Sequence, residues 1–268
     1  DLFALQDAVV AALLAPPAAG SGAGATRPGR TDPVMSPPEP VTSLDVGVPE
    51  APERSEPWVV AAGFAAGSAL GARIDGLAPP VPPATVNRDE SGGATVRAIQ
   101  LSEGIQLDGS LDEAVYGEVE PITAFIQQVP DEGAPATEKT EAWIMFADTN
   151  VYVSARVWDS APESERVANE MRRDTTQLRN NDTFTVFFDT FYDRRNGFNF
   201  YTNPLGARSD PQFTNEGNPN NDWNPVWDVR TGRFDGGWTV EMEIPFKTLR
   251  YRSGVPQLWG VQLRRAIH

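Results

Sequence analysis

Residues 140–160 read TEAWIMFADTNVYVSARVWDS, and the alternation in this stretch decides the fold. After a turn signal at Asp148-Thr149-Asn150, Val151, Val153, Ala155 and Val157 fall on one face of an extended chain. Tyr152, Ser154, Arg156 and Trp158 fall on the other. Strand side chains alternate with period two, so the stretch predicts a hairpin with one apolar face. Its neighbours carry the same period. DTFTVFFDT groups Phe184, Val186 and Phe188, and NGFNFYTNP sets Phe198, Phe200 and Thr202 against Asn199, Tyr201 and Asn203. GWTVEMEIPF groups Trp238, Val240, Met242, Ile244 and Phe246, which places Trp238 in the core and leaves Thr239, Glu241 and Glu243 on a solvated face. Only APESERVANEMRRD and PFKTLRY are capable of a helical turn or two. Six to nine short strands with almost no helix predict an all-β, antiparallel β-sandwich.

Composition confines this fold to the second part of the chain. The first 90 residues hold 14 of the 24 Pro and 9 of the 23 Gly, whereas six of seven Trp, eleven of thirteen Phe and all five Tyr follow. Residues 1–56 therefore read as a low-complexity, disordered leader or upstream extension, 57–72 as an apolar segment resembling a secretion signal, and 73–96 as a Pro-rich linker. Residues 97–268 are the folded domain. A net charge of −15 disfavours nucleic acid as a partner. With no Cys and one His, at position 268, there is no Ser-His or Cys-His nucleophile system and no cysteine zinc site.

Several groups are candidates for chemistry. Glu241 and Glu243 lie two apart on a strand, about 6.5–7 Å, which overlaps the roughly 6.5–9.5 Å between inverting glycosidase carboxylates. Any Glu-x-Glu on a strand meets that test, so the pair is a weak catalytic candidate and a solvated face is the plainer reading. In NNDWNPVWDV, Trp223 and Trp227 stand among Asn and Asp, including Asp222, in a polar loop. Indole faces with amide and carboxylate neighbours suit the C–H faces and hydroxyl rim of a pyranose. Trp227 alternatively begins the next strand and points inward. MRRDTTQLRNNDTF gathers Arg172, Arg173, Asp174 and Asn181, which can bind hydroxyls or a carboxylate or form structural ion pairs. No cofactor is required. Oxygen-rich loops offer Asp108, Asp112, Asp182 and Asp189 to a structural calcium ion, although no EF-hand spacing is present and Asp-Gly is first a turn signal.

Taken in order, IQLDGSLDEAVY, TEAWIMFADTNVYVSARVWDS, NDTFTVFFDT, FYTNPLGARSD, NDWNPVWDV and GGWTVEMEIPFKTLRY resemble the family 9 carbohydrate-binding modules across residues 97–265. They are most similar to the branch found as the N-terminal domain of uncharacterised bacterial outer-membrane-associated proteins. The resemblance implies a jelly-roll sandwich and carbohydrate as the partner and matches the DWNPVW loop; together with the polar residues read directly from the sequence, the sugar-binding candidates are Trp223, Trp227, Arg172, Arg173, Asn181, Asn203 and Asp222. It also implies export to the periplasm or outer membrane and a membrane β-barrel following residue 268. Two other outcomes accompany it: a docking domain that has lost sugar binding, and an O-glycosyl hydrolase. Tyr116 stands where family members commonly have Trp, a change expected to affect packing only. The second tryptophan that would clamp a terminal sugar has no placed counterpart.

Overall fold

The computed structural model describes residues 2–12, 77–90, 93–147, 149–252 and 257–268, the first of these as backbone alone. Strands are numbered in chain order. One sheet runs β10 (Arg208–Ser209), β9 (Gly197–Thr202), β8 (Thr183–Asp189), β14 (Gln257–Ala266), β1 (Leu2–Ala12), β3 (Ala94–Arg97) and β2 (Val86–Arg88). Two short strands, β11 (Gln212–Phe213) on β9 and β5 (Ile126–Val129) on β1, extend it. The second sheet runs β12 (Asp228–Phe234), β13 (Gly237–Pro245), β7 (Asn150–Trp158), β6 (Thr140–Phe146) and β4 (Ile99–Gln100). Pairing is antiparallel except for β1 with β3 and β4 with β6.

The core lies between the two inner faces, where the alternation places it. Phe184, Val186, Phe188 and Phe200 from the first sheet meet Val153, Ala155, Trp238, Val240 and Met242 from the second. Removing each large side chain of this kind from water contributes about 1.5–3 kcal/mol, and this burial holds the sheets together. The β6–β7 hairpin forms as its sequence predicts, with Ala142 opposite Ala155 and Ile144 opposite Val153. Asp148, in its turn, lies outside the described residues.

Three features differ from the sequence expectations. Residues 2–12, assigned to the leader, form β1, whose backbone pairs antiparallel with β14 and parallel with β3, and the end of the stretch assigned to the linker forms β2 and most of β3 in the same sheet. The rest of 13–56, the signal-like segment and the start of the linker lie outside the described residues. A single helical turn, α1 (Val115–Glu118), forms in LDEAVYGE, while APESERVANEMRRD yields only a 3₁₀ turn at Glu163–Glu165.

The third difference is a second layer. Residues 101–119 cross the outer face of the second sheet as a strap, and Tyr116, Trp143, Met145 and Tyr152 form a small apolar cluster beneath it with Leu101, Ile105, Leu111 and Val115. Glu241, expected on a solvated face, is therefore fully buried. Its Oε2 accepts hydrogen bonds from the backbone N–H groups of Asp108 (3.1 Å) and Gly109 (2.8 Å), and its Oε1 from the Tyr116 hydroxyl (2.9 Å). Tyr116 also hydrogen-bonds Ser154 Oγ at 2.8 Å, so the residue at this position locks strap to sheet through its hydroxyl as well as its packing. Gly109 is required by the close approach: its φ is +90°, and a Cβ there would lie 2.7 Å from the Thr231 carbonyl carbon.

Candidate functional site

Beyond the edge of the strap, where Glu243 of β13 pairs with Asp228 of β12, the outer face of the second sheet opens into a groove of about 470 Å³. Arg208, Val226, Trp227, Asp228, Arg230, Glu243 and Pro245 line it. The sequence places these side chains by register. Asp228 and Arg230 alternate outward on β12, Glu243 does so on β13, and Arg208 reaches in from β10 of the other sheet. Val226 and Trp227 come from the loop that leads into β12.

One wall is apolar and the rim is polar. Val226 is 68% exposed, whereas Trp227 is buried in the core against Phe200, their ring centroids 5.2 Å apart. Asp228 Oδ1 accepts from Arg230 Nη1 at 2.8 Å and Arg208 Nη1 at 3.2 Å, and Arg208 Nη1 also donates to the Trp227 carbonyl at 2.6 Å. Partial burial acts to raise the Asp228 carboxyl, but the Val229 N–H and the two guanidinium groups outweigh it and hold the group below its ordinary value. Glu243 Oε1 accepts from Asn150 Nδ2 at 2.8 Å and the Tyr152 hydroxyl at 3.2 Å. The groove thus presents guanidinium donors and carboxylate acceptors at fixed positions beside an aliphatic wall. It can hold a polyhydroxylated ligand by paired hydrogen bonds and apolar contact.

The residues singled out from the sequence are dispersed. Trp223 is half-buried and packs on Phe198 and Phe200, with ring centroids at 5.0 and 5.9 Å, so part of the proposed platform is spent closing the core. It does not line the groove. Trp227 points inward, the alternative its sequence context left open, and donates its Nε1–H to Asp210 Oδ1 at 2.7 Å. Asp222 is exposed in the same loop.

Asn181 and Asn203 are not available to a ligand, because both are buried in one latch. Asn181 Oδ1 accepts from the backbone N–H groups of Asn169 and Glu170 and from Asn203 Nδ2, and Asn203 Oδ1 accepts from the N–H groups of Leu205 and Ala207. Buried backbone donors need such partners, and the short amides supply them. Arg172 is exposed and pairs with Glu170 at 2.7 Å. Arg173 donates through Nη2 to Asp210 Oδ1 at 2.8 Å and to the Pro225 carbonyl at 3.1 Å, and pairs with Asp174 through Nε at 3.2 Å.

The calcium candidates cap turns instead of converging. Asp108 accepts from the Ser110 N–H, Asp182 from the Val167 and His268 N–H groups, and Asp189 from the Phe191 and Arg194 N–H groups, while Asp112 is exposed. Burial raises the Asp182 carboxyl above its ordinary value despite those two backbone donors. Among the described residues, no group of three or more His, Cys, Asp or Glu is arranged to hold a metal ion. The weak catalytic pair fails on access: Glu241 lies sealed beneath the strap, where no substrate reaches it. Burial pushes its carboxyl up to about 7, with the Glu113 charge adding to the effect and the Gly109, Tyr116 and Asp108 donors opposing it.

Arg208, Asp228 and Arg230 did not stand out from the sequence as site residues. The available signal was the strand phase of DVRTGRF, which sets Asp228 and Arg230 outward beside Glu243. Arg208, on another sheet, left none.

Compared with protein-family models, residues 107–265 match one described as carbohydrate family 9 binding domain-like. A comparison with curated proteins finds no match. Among solved structures, the chain is similar to a family 9 carbohydrate-binding module from Caldicellulosiruptor kristjanssonii in complex with cellotriose, at 13% identity and a TM-score of 0.42, covering 62% of this chain and 82% of that one. A structure of a family 9 module from the same organism in complex with glucose gives 14% identity and a TM-score of 0.41, covering 62% and 84%.

Proposed function

The chain belongs to the carbohydrate family 9 binding domain-like family, and we propose that it is a non-catalytic module that holds carbohydrate in the groove between Val226 and Pro245. The observation that carries this reading is the Arg208–Asp228–Arg230 cluster facing Glu243 beside an aliphatic wall. A sugar ring offers vicinal hydroxyls that donate to Asp228 and Glu243 and accept from the two guanidinium groups, and its C–H face packs on Val226 and Pro245. No bond is made or broken, and no metal takes part. Trp223, half-buried earlier in the same loop, is the residue through which a longer oligosaccharide would extend the contact. We also propose that the module is exported and acts in carbohydrate breakdown at a bacterial outer membrane, next to a barrel. The signal-like segment and the order of sequence motifs support that setting.

The test is a glycan screen on the full 268-residue chain, with glucose and cello-oligosaccharides included, followed by titration of the best ligand. Arg230→Ala is expected to weaken binding by about tenfold or more, the loss of one charge-assisted contact. Binding that Arg230→Ala and Glu243→Gln leave unchanged removes the groove from the reading. Failure to bind any sugar on the panel overturns the function itself and favours a docking domain.

A further inference from the structure

We propose that Asp210 and Arg173 are positioning residues that set the Val226–Trp227 wall of the groove from behind, an inference that rests on the groove being the sugar site. Neither residue lines the groove. Their connection to it runs through the loop 225–227, whose three successive carbonyls are each held by a side chain from a different element. Arg173 Nη2 donates to the Pro225 carbonyl at 3.1 Å, Thr248 Oγ1 to that of Val226 at 2.7 Å, and Arg208 Nη1 to that of Trp227 at 2.6 Å. The fourth tie is the Trp227 indole N–H, given to Asp210 Oδ1 at 2.7 Å.

Asp210 stands behind two of these four ties. Its side chain is fully buried, and the same Oδ1 that accepts from Trp227 also accepts from Arg173 at 2.8 Å. Its other oxygen is buried without a hydrogen-bond partner. A buried carboxylate in this state depends on the Arg173 cation for compensation, and Arg173 in turn is held on the Pro225 carbonyl by its pairing with Asp210. Without Asp210, the indole N–H is left in an apolar environment beside Phe200. Arg173, 32% exposed, then keeps only its Asp174 pairing as a charge partner, and its Nη2 is free to turn to solvent and release Pro225. The wall would lose the indole and Pro225 ties together, while Arg208, Asp228 and Arg230 keep their own contacts. Binding groups held by such a supporting layer lose affinity when the layer goes, even though no ligand contact is deleted.

The experiment compares Asp210→Ala, Asp210→Asn and Arg173→Ala in the full chain, with cellotriose as the probe and the Val226 methyl resonances as a report on the wall. Tyr116→Phe, which weakens the strap on the other part of the sheet, controls for loss of stability. Asp210→Ala is expected to weaken cellotriose binding by about tenfold and to move or broaden the Val226 methyls, and Arg173→Ala to act in the same direction. Asp210→Asn, which keeps an acceptor at Oδ1, is expected to stay within about threefold of the parent. Tyr116→Phe should lower Tm and leave affinity and methyls alone. If Arg230→Ala abolishes binding while Asp210→Ala binds as the parent with the methyls unmoved, the groove stands and the positioning role is wrong. If the parent binds no sugar, the sugar reading fails by itself. The Val226 methyls then decide the matter alone: moved in Asp210→Ala, they support the positioning; unmoved, they overturn it.

Discussion

Replacing Glu241 by Gln changes one charge and almost no shape, and its effect should depend on pH. The carboxyl sits at about 7 in the folded protein against 4.5 ordinarily, because burial outweighs its three hydrogen-bond donors. Between those values the folded state holds a proton that the unfolded chain has released. The stabilisation from the protonated form is therefore fully present below pH 4.5 and is lost as pH rises through 7. At about 1.36 kcal/mol per pH unit of difference, the loss is about 3 kcal/mol. The substituted side chain would keep an oxygen for the Asp108 and Gly109 amides and turn its NH₂ toward the Tyr116 oxygen, whose proton goes to Ser154. Urea unfolding followed by tryptophan fluorescence, for both proteins from pH 4.5 to 8.5, gives the difference in stability, in which all other titrating groups cancel. The variant is expected to gain on the parent by about 3 kcal/mol across that range, with most of the change at or below pH 7. A difference that stays flat with pH would falsify the claim that Glu241 is held in a desolvated pocket.

The remaining predictions concern the same architecture. Tyr116→Phe removes a donor to Glu241 and the partner of Ser154, and should cost about 1–3 kcal/mol in chemical denaturation and raise the Glu241 titration further. Tyr116→Trp, with an indole N–H in place of the hydroxyl, should cost less than Tyr116→Phe. Gly109→Ala forces a Cβ against the Thr231 backbone at positive φ and should cost about 3 kcal/mol, read as a lower urea midpoint at unchanged slope. Phe200→Ala opens a cavity under both Trp223 and Trp227 and should cost about 3–5 kcal/mol by the same assay. Chelation with EDTA should leave Tm unchanged, since Asp108, Asp182 and Asp189 already satisfy backbone amides; a fall in Tm restored by calcium would place an ion on these loops.

Strand phase was legible wherever one face meets the core. Trp238, Val240, Met242 and Ile244 lie inward as their spacing requires, and the two strands expected within residues 140–160 pair as a hairpin. The outward phase was equally legible, but its environment was not. Period two says that Glu241 and Glu243 point away from the core; it does not say that residues 101–119 return to cover one and leave the other at a groove. That outcome depends on a contact between Asp108 and Glu241, 133 residues apart, for which no local pattern exists. The same limit explains the scattered site candidates. Asn181 and Asn203 look like surface polar residues in sequence, yet 22 positions apart they meet in a buried latch. Arg208, Asp228 and Glu243 belong to three strands and two sheets, so their convergence follows from the sandwich as a whole.

The strap has a consequence for how the chain completes itself. A chain made from its N-terminus produces Leu101, Ile105, Leu111 and Tyr116 early, and the β6–β7 hairpin soon afterwards offers them Trp143, Met145 and Tyr152. The acceptor for the Asp108 and Gly109 amides arrives only with β13, more than a hundred residues later. Seating of the strap therefore has two stages, an apolar one available to a partial chain and a polar one that waits for the last hairpin. In any partial product ending before Glu241, the strap is attached but not latched, and the Tyr116 hydroxyl has only Ser154. Glu241 thus acts as the second fastening of the strap, giving the chain a resistance to local opening that no product ending before residue 241 can acquire.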